Sequence, residues 1–262
     1  MSFDTNCTDQ IRRRCGPAVR TGGFSLVEMM ISMTLGLVII AGAGQLFISG
    51  KRIFNLQQVQ ASYQEQTTLL GTMIAGLLRQ TGNVEITGMS IDRERIFLAD
   101  TEFPSNGQVI KGNSASASRK VLNEHGSTTG SFPNDSITFR FVGGTGIFDC
   151  EGNATANNTQ YEHTLSIRND HLVCQPSAGV APVELIGTRS GPESRRVRVL
   201  GLRVLYGIDS NDDGSIDDYN KADEMSSGDW LAVVNSWLEV TIQPGDLPPS
   251  TIRFLIHYSN LS

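Results

Sequence analysis

The chain has 262 residues, 39% of them hydrophobic, and a formal net charge of -6. At roughly 150 residues per domain, this length is enough for a sizeable core and for one or two domains. The acidic balance excludes nucleic acid as a default partner. Residues 1–23 hold four arginines and two aspartates, so this segment carries +2 and the remainder -8. A basic start before an apolar stretch is typical of a targeting segment.

An apolar segment, residues 24–48, follows the basic start and contains Glu28 as its one charged residue. At ~1.5 Å rise per residue, a helix of this length spans a ~30 Å hydrocarbon core. A carboxylate in that position costs about 2.5–3.5 kcal/mol on insertion scales, so it requires a partner. A secretory signal, with a small-residue site at 41–43, and a plain membrane anchor are two interpretations; neither accounts for the acid.

The residues around Glu28 favour a third interpretation. The stretch GGFSLVE, residues 22–28, has basic residues before it and about twenty apolar residues after it. It closely resembles the type IV prepilin cleavage signal. The resemblance implies that a prepilin peptidase cuts after Gly23 and methylates the new amino terminus at Phe24. It also implies that Glu28 faces the terminal ammonium of a neighbouring subunit in an assembled filament, where both charges would be neutralised.

The apolar spacing continues beyond the membrane segment, with hydrophobic residues mostly three or four positions apart up to Leu77. This period predicts one amphipathic helix over residues 24–80, with its first half in a membrane. The sequence Thr81-Gly82-Asn83 predicts the end of the helix, because glycine readily adopts the left-handed conformation found there.

The chain from residue 81 onward has short β-branched runs separated by Gly, Asn, Asp, Ser and Pro, which predict strands and loops. Strands are expected at 136–142, 197–208, 233–242 and 251–258, with a hairpin at 163–175, and 106–130 is expected to be a loop. Within 136–142, the polar residues Thr138 and Arg140 are expected on the face opposite Phe139. We therefore predict an α+β fold, in which a long N-terminal helix packs on an antiparallel sheet head. The predicted organisation is a leader (1–23), the helix (24–80) and the head (81–262).

The four cysteines fall into two pairs. Cys7 and Cys15 lie in the leader, whereas Cys150 and Cys174 lie in the head, which the topology places outside the cytoplasm. An oxidising compartment favours a disulfide between the second pair. A zinc site built from these two cysteines with His163 and His171 is the alternative, although the spacing matches no common zinc module.

An acidic stretch, DSNDDGSIDDYN at residues 209–220, is similar to an EF-hand calcium loop. The glycine of the turn stands at position 6, and the Glu normally found at position 12 is replaced by Asn. The predicted Ca²⁺ ligands are Asp209, Asn211, Asp213, Ser215, Asp217 and Asn220. An Asx-rich turn without calcium is the alternative, because the same residue types favour turns.

The same region indicates a narrower family. Residues 201–222 contain Tyr206-Gly207-Ile208-Asp209, and Trp230 precedes the next apolar run. This arrangement resembles the C-terminal part of PilW-type minor pilins. The resemblance implies a low-abundance subunit that initiates or caps a type IV pilus and supports pilus biogenesis, twitching motility and adhesion. The implied partners are other minor pilins, the major pilin, the prepilin peptidase, an inner-membrane assembly platform and a tip adhesin. The implied location is the inner membrane, with a periplasmic head, and then the pilus tip.

No sequence pattern indicates an enzyme. The glycine-rich stretch at 143–146 lacks the Lys-Ser/Thr of a phosphate-binding loop, and no histidine stands in a nucleophile motif. Two other functions are left open by the sequence. One is a pseudopilin at the tip of a type II secretion pseudopilus, and the other is a membrane-anchored calcium-binding adhesion module.

Overall fold

The structure, a computed structural model, describes residues 23, 25–84, 93–115, 119–122, 128–177, 179–186, 197–245, 247–258 and 260. The chain divides into two compact units, Met1–Phe54 and Asn55–Ser262. Helix α1, Leu26–Arg79, belongs to the first unit up to Phe54 and to the second unit beyond it. The predicted helix over 24–80 is confirmed to within two residues at each end.

The first unit consists, where it is described, of the apolar part of α1. Its large hydrophobic side chains are exposed; Leu37 and Ile40, for example, are 71% and 74% accessible. Exposed apolar surface costs roughly 25 cal/mol per Å² in water. This part of the helix therefore requires a lipid or protein environment.

Within its described residues, the second unit contains residues 55–79 of α1, a short helix α2 (Arg93–Ile96) and eleven strands. The strands are β1 Ile110–Asn113, β2 Arg119–Leu122, β3 Thr128–Phe132, β4 Ser136–Val142, β5 Gln160–Arg168, β6 His171–Pro176, β7 Val183–Ile186, β8 Val197–Ile208, β9 Asp218–Asn220, β10 Val233–Pro244 and β11 Ser250–His257. Two single-turn 3-10 helices, Ala222–Glu224 and Asp229–Leu231, lie between β9 and β10.

The strands form antiparallel sheets. A five-stranded sheet has the order β1-β4-β5-β6-β7, a four-stranded sheet has the order β11-β10-β8-β9, and β2 pairs with β3. The hairpin predicted at 163–175 is β5 and β6, and Asn169 and Asp170 at its turn have φ of 51° and 66°. Two consecutive positive φ angles suit the right-handed twist of the strands they connect.

The core lies between residues 55–79 of α1 and the two larger sheets. The helix buries Val59, Leu70, Ile74, Leu77 and Leu78, of which Leu70, Ile74 and Leu77 follow the predicted three- and four-residue steps. A Cβ at Gly71 would lie 3.0 Å from the Phe254 ring, so a residue without a side chain allows β11 to approach the helix. The predicted α+β fold is confirmed: a long helix packs against antiparallel sheets.

One expectation about this unit is wrong. Residues 106–130 do not form one continuous loop, because they contain β1, β2 and the start of β3. Arg140 faces away from Phe139, as expected, and its side chain is buried there, with 1% of its surface exposed. The segment around α2 covers that face, and no local pattern in β4 signals this contact.

Candidate functional site: the N-terminal segment and the acidic loop

The N-terminal segment places Glu28 in the first turn of α1. Gly23 is exposed, Phe24 and the residues before Gly23 lie outside the described part of the chain, and the first described helical hydrogen bond runs from Met29 N to Ser25 O at 3.1 Å. A carboxylate in the first turn is favoured by the partial positive charge of the helix start. The predicted roles of Gly23 and Phe24 stay predictions.

The surroundings of Glu28 are apolar and open. Leu26, Val27 and Met29 are more than half exposed, and Glu28 itself is exposed. No residue that the structure describes pairs with its carboxylate. A negative charge in an apolar, uncovered turn is suited to an ionic contact with a separate molecule.

A membrane span is available in the same helix. Within the described residues, α1 is the one helix long and apolar enough to cross a membrane, judged by length and composition. The apolar stretch occupies the N-terminal part of the helix, which includes the Glu28 turn.

A disulfide joins Cys150 and Cys174, the pairing that the sequence analysis favoured. Both cysteines are buried in the main core, where Cys174 on β6 lies opposite Leu165 on β5. The bond uses both thiols, so the alternative zinc site does not form. The two histidines of that alternative site have other contacts. The His163 ring packs edge-on against the rings of Phe139 and Phe141, and His171 Nδ1 lies 3.6 Å from Glu184 Oε2.

We expect the disulfide to stabilise the second unit by about 3 kcal/mol, because it closes a loop with a sequence separation of 24. The measurement is urea unfolding of the detergent-solubilised chain, followed by the fluorescence of Trp230 and Trp237. The double substitution Cys150→Ala with Cys174→Ala should lower the midpoint, and reductant should lower that of the unsubstituted chain by a similar amount. Equal midpoints with and without the bond would contradict this expectation.

The acidic loop between β8 and β9 is closed by its own carboxylates. Asp209 Oδ1 and Oδ2 accept hydrogen bonds from the backbone N–H groups of Asp213 and Gly214, at 3.2 and 2.8 Å. Asp217 Oδ2 accepts from the Ser210 hydroxyl at 2.5 Å and from the Ser210 N–H at 2.8 Å. These bonds to Ser210 lower the pKa of Asp217, because they stabilise the charged form. The loop is therefore an ordered, strongly acidic turn.

Several of the six predicted calcium ligands have contacts within the protein. Asn220 lies in β9, paired with Tyr206, and Asp213 Oδ1 accepts from the Ser215 N–H at 2.8 Å. In the described part of the chain, no group of three or more His, Cys, Asp or Glu side chains is arranged to hold a metal ion. Calcium binding stays a prediction.

Arg140 is the centre of a buried network that sequence reasoning missed. Its Nε donates to Gln108 O at 2.6 Å, and its Nη1 donates to Leu98 O at 3.0 Å and to Asp100 Oδ2 at 3.1 Å. The guanidinium also lies 4.3 Å from the Phe103 ring centroid, a cation–π distance. One side chain thus fastens the segment 97–108 to β4.

A small acidic cavity lies beside this network. It has a volume of about 280 Å³ and is lined by Asp100, Thr101, Glu102, Glu162 and Ser177. Burial raises the pKa of Glu162, and the nearby Asp100 and Glu102 carboxylates raise it further.

Comparison with known proteins concerns mainly the N-terminal segment. A sequence model described as the prokaryotic N-terminal methylation motif matches residues 20–44. Among solved structures, a type IV-like pilin from Thermus thermophilus is 14% identical, with a TM-score of 0.41, and the match covers 76% of this chain and 98% of that chain. No curated protein matches the sequence. The matched segment contains residues 22–28, which resemble the prepilin cleavage signal, and the first turns of α1.

Proposed function

We propose that this chain is a minor pilin of the PilW type, built into a type IV pilus after removal of residues 1–23. The observation that carries the proposal is the methylation motif at 20–44, whose apolar helix continues into a folded unit with its own core. Such a subunit helps initiate or cap the filament, and pilus biogenesis, twitching motility and adhesion depend on it.

The assembly step follows from the charges at the start of the helix. Cleavage after Gly23 creates an ammonium group at Phe24, four residues before the Glu28 carboxylate. In a bundle of apolar helices water is scarce, so an unpaired charge is costly and two opposite charges on neighbouring subunits attract strongly. The helix holds the subunit in the inner membrane before assembly and in the filament afterwards. Its contacts are with other pilins and the membrane assembly platform.

The PilW subtype is supported by the region around the acidic loop. Tyr206 and Trp230 are two of the residues that carry the resemblance to PilW-type minor pilins. Their rings pack edge to face at the base of this loop, with centroids 4.9 Å apart. The size of the unit, Asn55–Ser262, suits a tip position. There it would contact other minor pilins and an adhesin.

The N-terminal mass of the protein purified from its own envelope tests the proposal. We expect the first peptide to start at N-methylated Phe24. A start at Met1 or Ser2 would indicate a plain anchor, and a start near Gly44 a secreted domain; either result would contradict the pilin pathway. A type II secretion pseudopilin would share the processed end. Deletion of the gene separates the two systems, because we expect loss of pili and normal secretion of exoproteins.

Calcium binding by the acidic loop is a secondary part of the proposal. It is supported by the oxygen-bearing residues at loop positions 1, 3, 5, 7 and 9, and by Gly214, whose φ of 81° makes the turn at position 6. We expect millimolar Ca²⁺ to raise the unfolding temperature of the full chain by a few degrees, and Asp213→Asn to weaken the response. Glu151→Gln, at an exposed acid outside the loop, serves as the control. No thermal shift and no calorimetric heat would favour the calcium-free turn.

A further inference from the structure

The four-stranded sheet has a solvent-facing side that the proposed function does not use. We define the outer sheet face as the residues that point away from the core on β8, β10 and β11. Neighbours in the register form two rows across these strands. The rows are Leu205–Trp237–Leu255 and Arg203–Glu239–Arg253.

The first row is an exposed apolar strip. Leu255 is 57% exposed, and Trp237 and Leu205 are half-buried. Tryptophan on a surface is enriched at the centres of protein interfaces, where it gains a large apolar contact. The strip is therefore suited to contact with another protein surface.

The charges along the strands are unevenly distributed. Glu239 pairs with both Arg203, at 3.5 Å, and Arg253, at 2.9 Å, so the second row carries a net charge of +1. The acidic loop follows the end of β8, on the side of the apolar strip opposite to the Arg203 row, and its Asp212, Asp213, Asp217 and Asp218 are all exposed. The surface thus runs from basic, through apolar, to acidic.

This order makes the surface complementary to itself. A two-fold axis in the plane of the interface and perpendicular to the strands reverses the strand direction. With the axis near Tyr206, it places the Arg203 row of each copy opposite the end of β8 that leads into the acidic loop of the other, and it brings the two apolar strips side by side in the interface. A two-fold axis parallel to the strands would set like charges against each other, which is unfavourable. The charge pattern therefore selects one pairing.

We propose that two copies of this chain associate through their outer sheet faces, with Arg203 of each copy against the acidic loop of the other. Within one copy the contact is impossible, because Arg203 and Asp209 are separated along β8 by about 20 Å at ~3.3 Å per residue. The pairing is isologous, so each charge contact forms twice. The inference does not depend on pilus incorporation.

The test measures the mass of the full chain in detergent micelles over a range of protein concentrations. We expect a concentration-dependent dimer that weakens as salt rises. Leu255→Glu and Arg203→Glu should each weaken the dimer at least about tenfold, because they introduce a charge into the strip or repel the partner loop. Leu98→Glu is the matched control, since Leu98 is an equally exposed leucine outside this face, at 62%.

Exchanging the charges of Arg203 and the acidic loop distinguishes the proposed contact from other modes of association between two copies. Asp212→Lys with Asp218→Lys reverses loop charges while retaining the carboxylates of Asp209, Asp213 and Asp217, which close the loop. Combined with Arg203→Glu, these changes should restore the dimer. A monomer at every concentration, a dimer insensitive to Leu255→Glu, or association only with a different acidic protein would overturn the proposal. Circular dichroism of each variant establishes that it is folded.

Discussion

Replacing Glu28 with Ala should leave the second unit folded and reduce incorporation into pili by more than about tenfold. The physical reason is the unpaired ammonium group that this change would leave at the amino terminus created by the proposed cleavage after Gly23. Removing one partner of a buried ion pair costs about 3–5 kcal/mol, which is well above the 1.4 kcal/mol of a tenfold change. Glu28 is exposed in the isolated chain, so the same substitution costs no folded contact there.

The measurement compares the subunit content of sheared pili with that of the membrane fraction. Glu28→Gln should behave like Glu28→Ala, because it retains the size of the side chain and removes the charge. Glu65→Ala is the matched control, since Glu65 is exposed on the same helix but within the second unit. Normal pilus number and normal twitching in Glu28→Ala would argue strongly against an assembly role.

Replacing Arg140 with Met should destabilise the second unit by about 2–4 kcal/mol, the second large effect that we expect. The methionine fills most of the volume but cannot donate to the carbonyl oxygens of Gln108 and Leu98. Buried acceptors without a donor cost about 1–3 kcal/mol each. The cation–π contact with Phe103 is lost as well.

The loss of stability should be greatest in the segment 97–108. Hydrogen exchange and limited proteolysis measure it in that segment, and urea unfolding measures it for the whole unit. Arg140→Lys retains the charge but not the planar fork of donors, and should fall between the wild type and Arg140→Met. Arg95→Met, at an exposed arginine of α2, should change the unfolding free energy by less than about 0.5 kcal/mol. Similar effects of Arg95→Met and Arg140→Met would contradict the importance of the buried network.

The secondary-structure elements that could be predicted from the sequence are those indicated by residues close together in the chain. The strand β4 and the hairpin of β5 and β6 follow from alternating apolar residues and from the Asn169–Asp170 turn. Residues 106–130 were predicted wrongly because the segments between their short strands are rich in Ser, Asn and Gly, and because the pairing of β1 depends on a distant partner. Gly112 on β1, for example, pairs with Ile137 on β4. Strand propensity is too dependent on such partners to reveal them in a single segment.

The candidate site likewise has some features that could be predicted from the sequence and others that depend on the tertiary structure. The sequence by itself determined the N-terminal segment, because the methylation motif at 20–44, a membrane-length apolar run and one acid are read from consecutive residues. It also determined the pair of cysteines in the head, although their pairing depends on how the chain folds. Only the tertiary structure decided that Arg140 is buried, that the acidic loop is closed by Asp209 and Asp217, and that Leu205, Trp237 and Leu255 form one strip. These features need residues that are far apart in the chain, and folding alone brings them together.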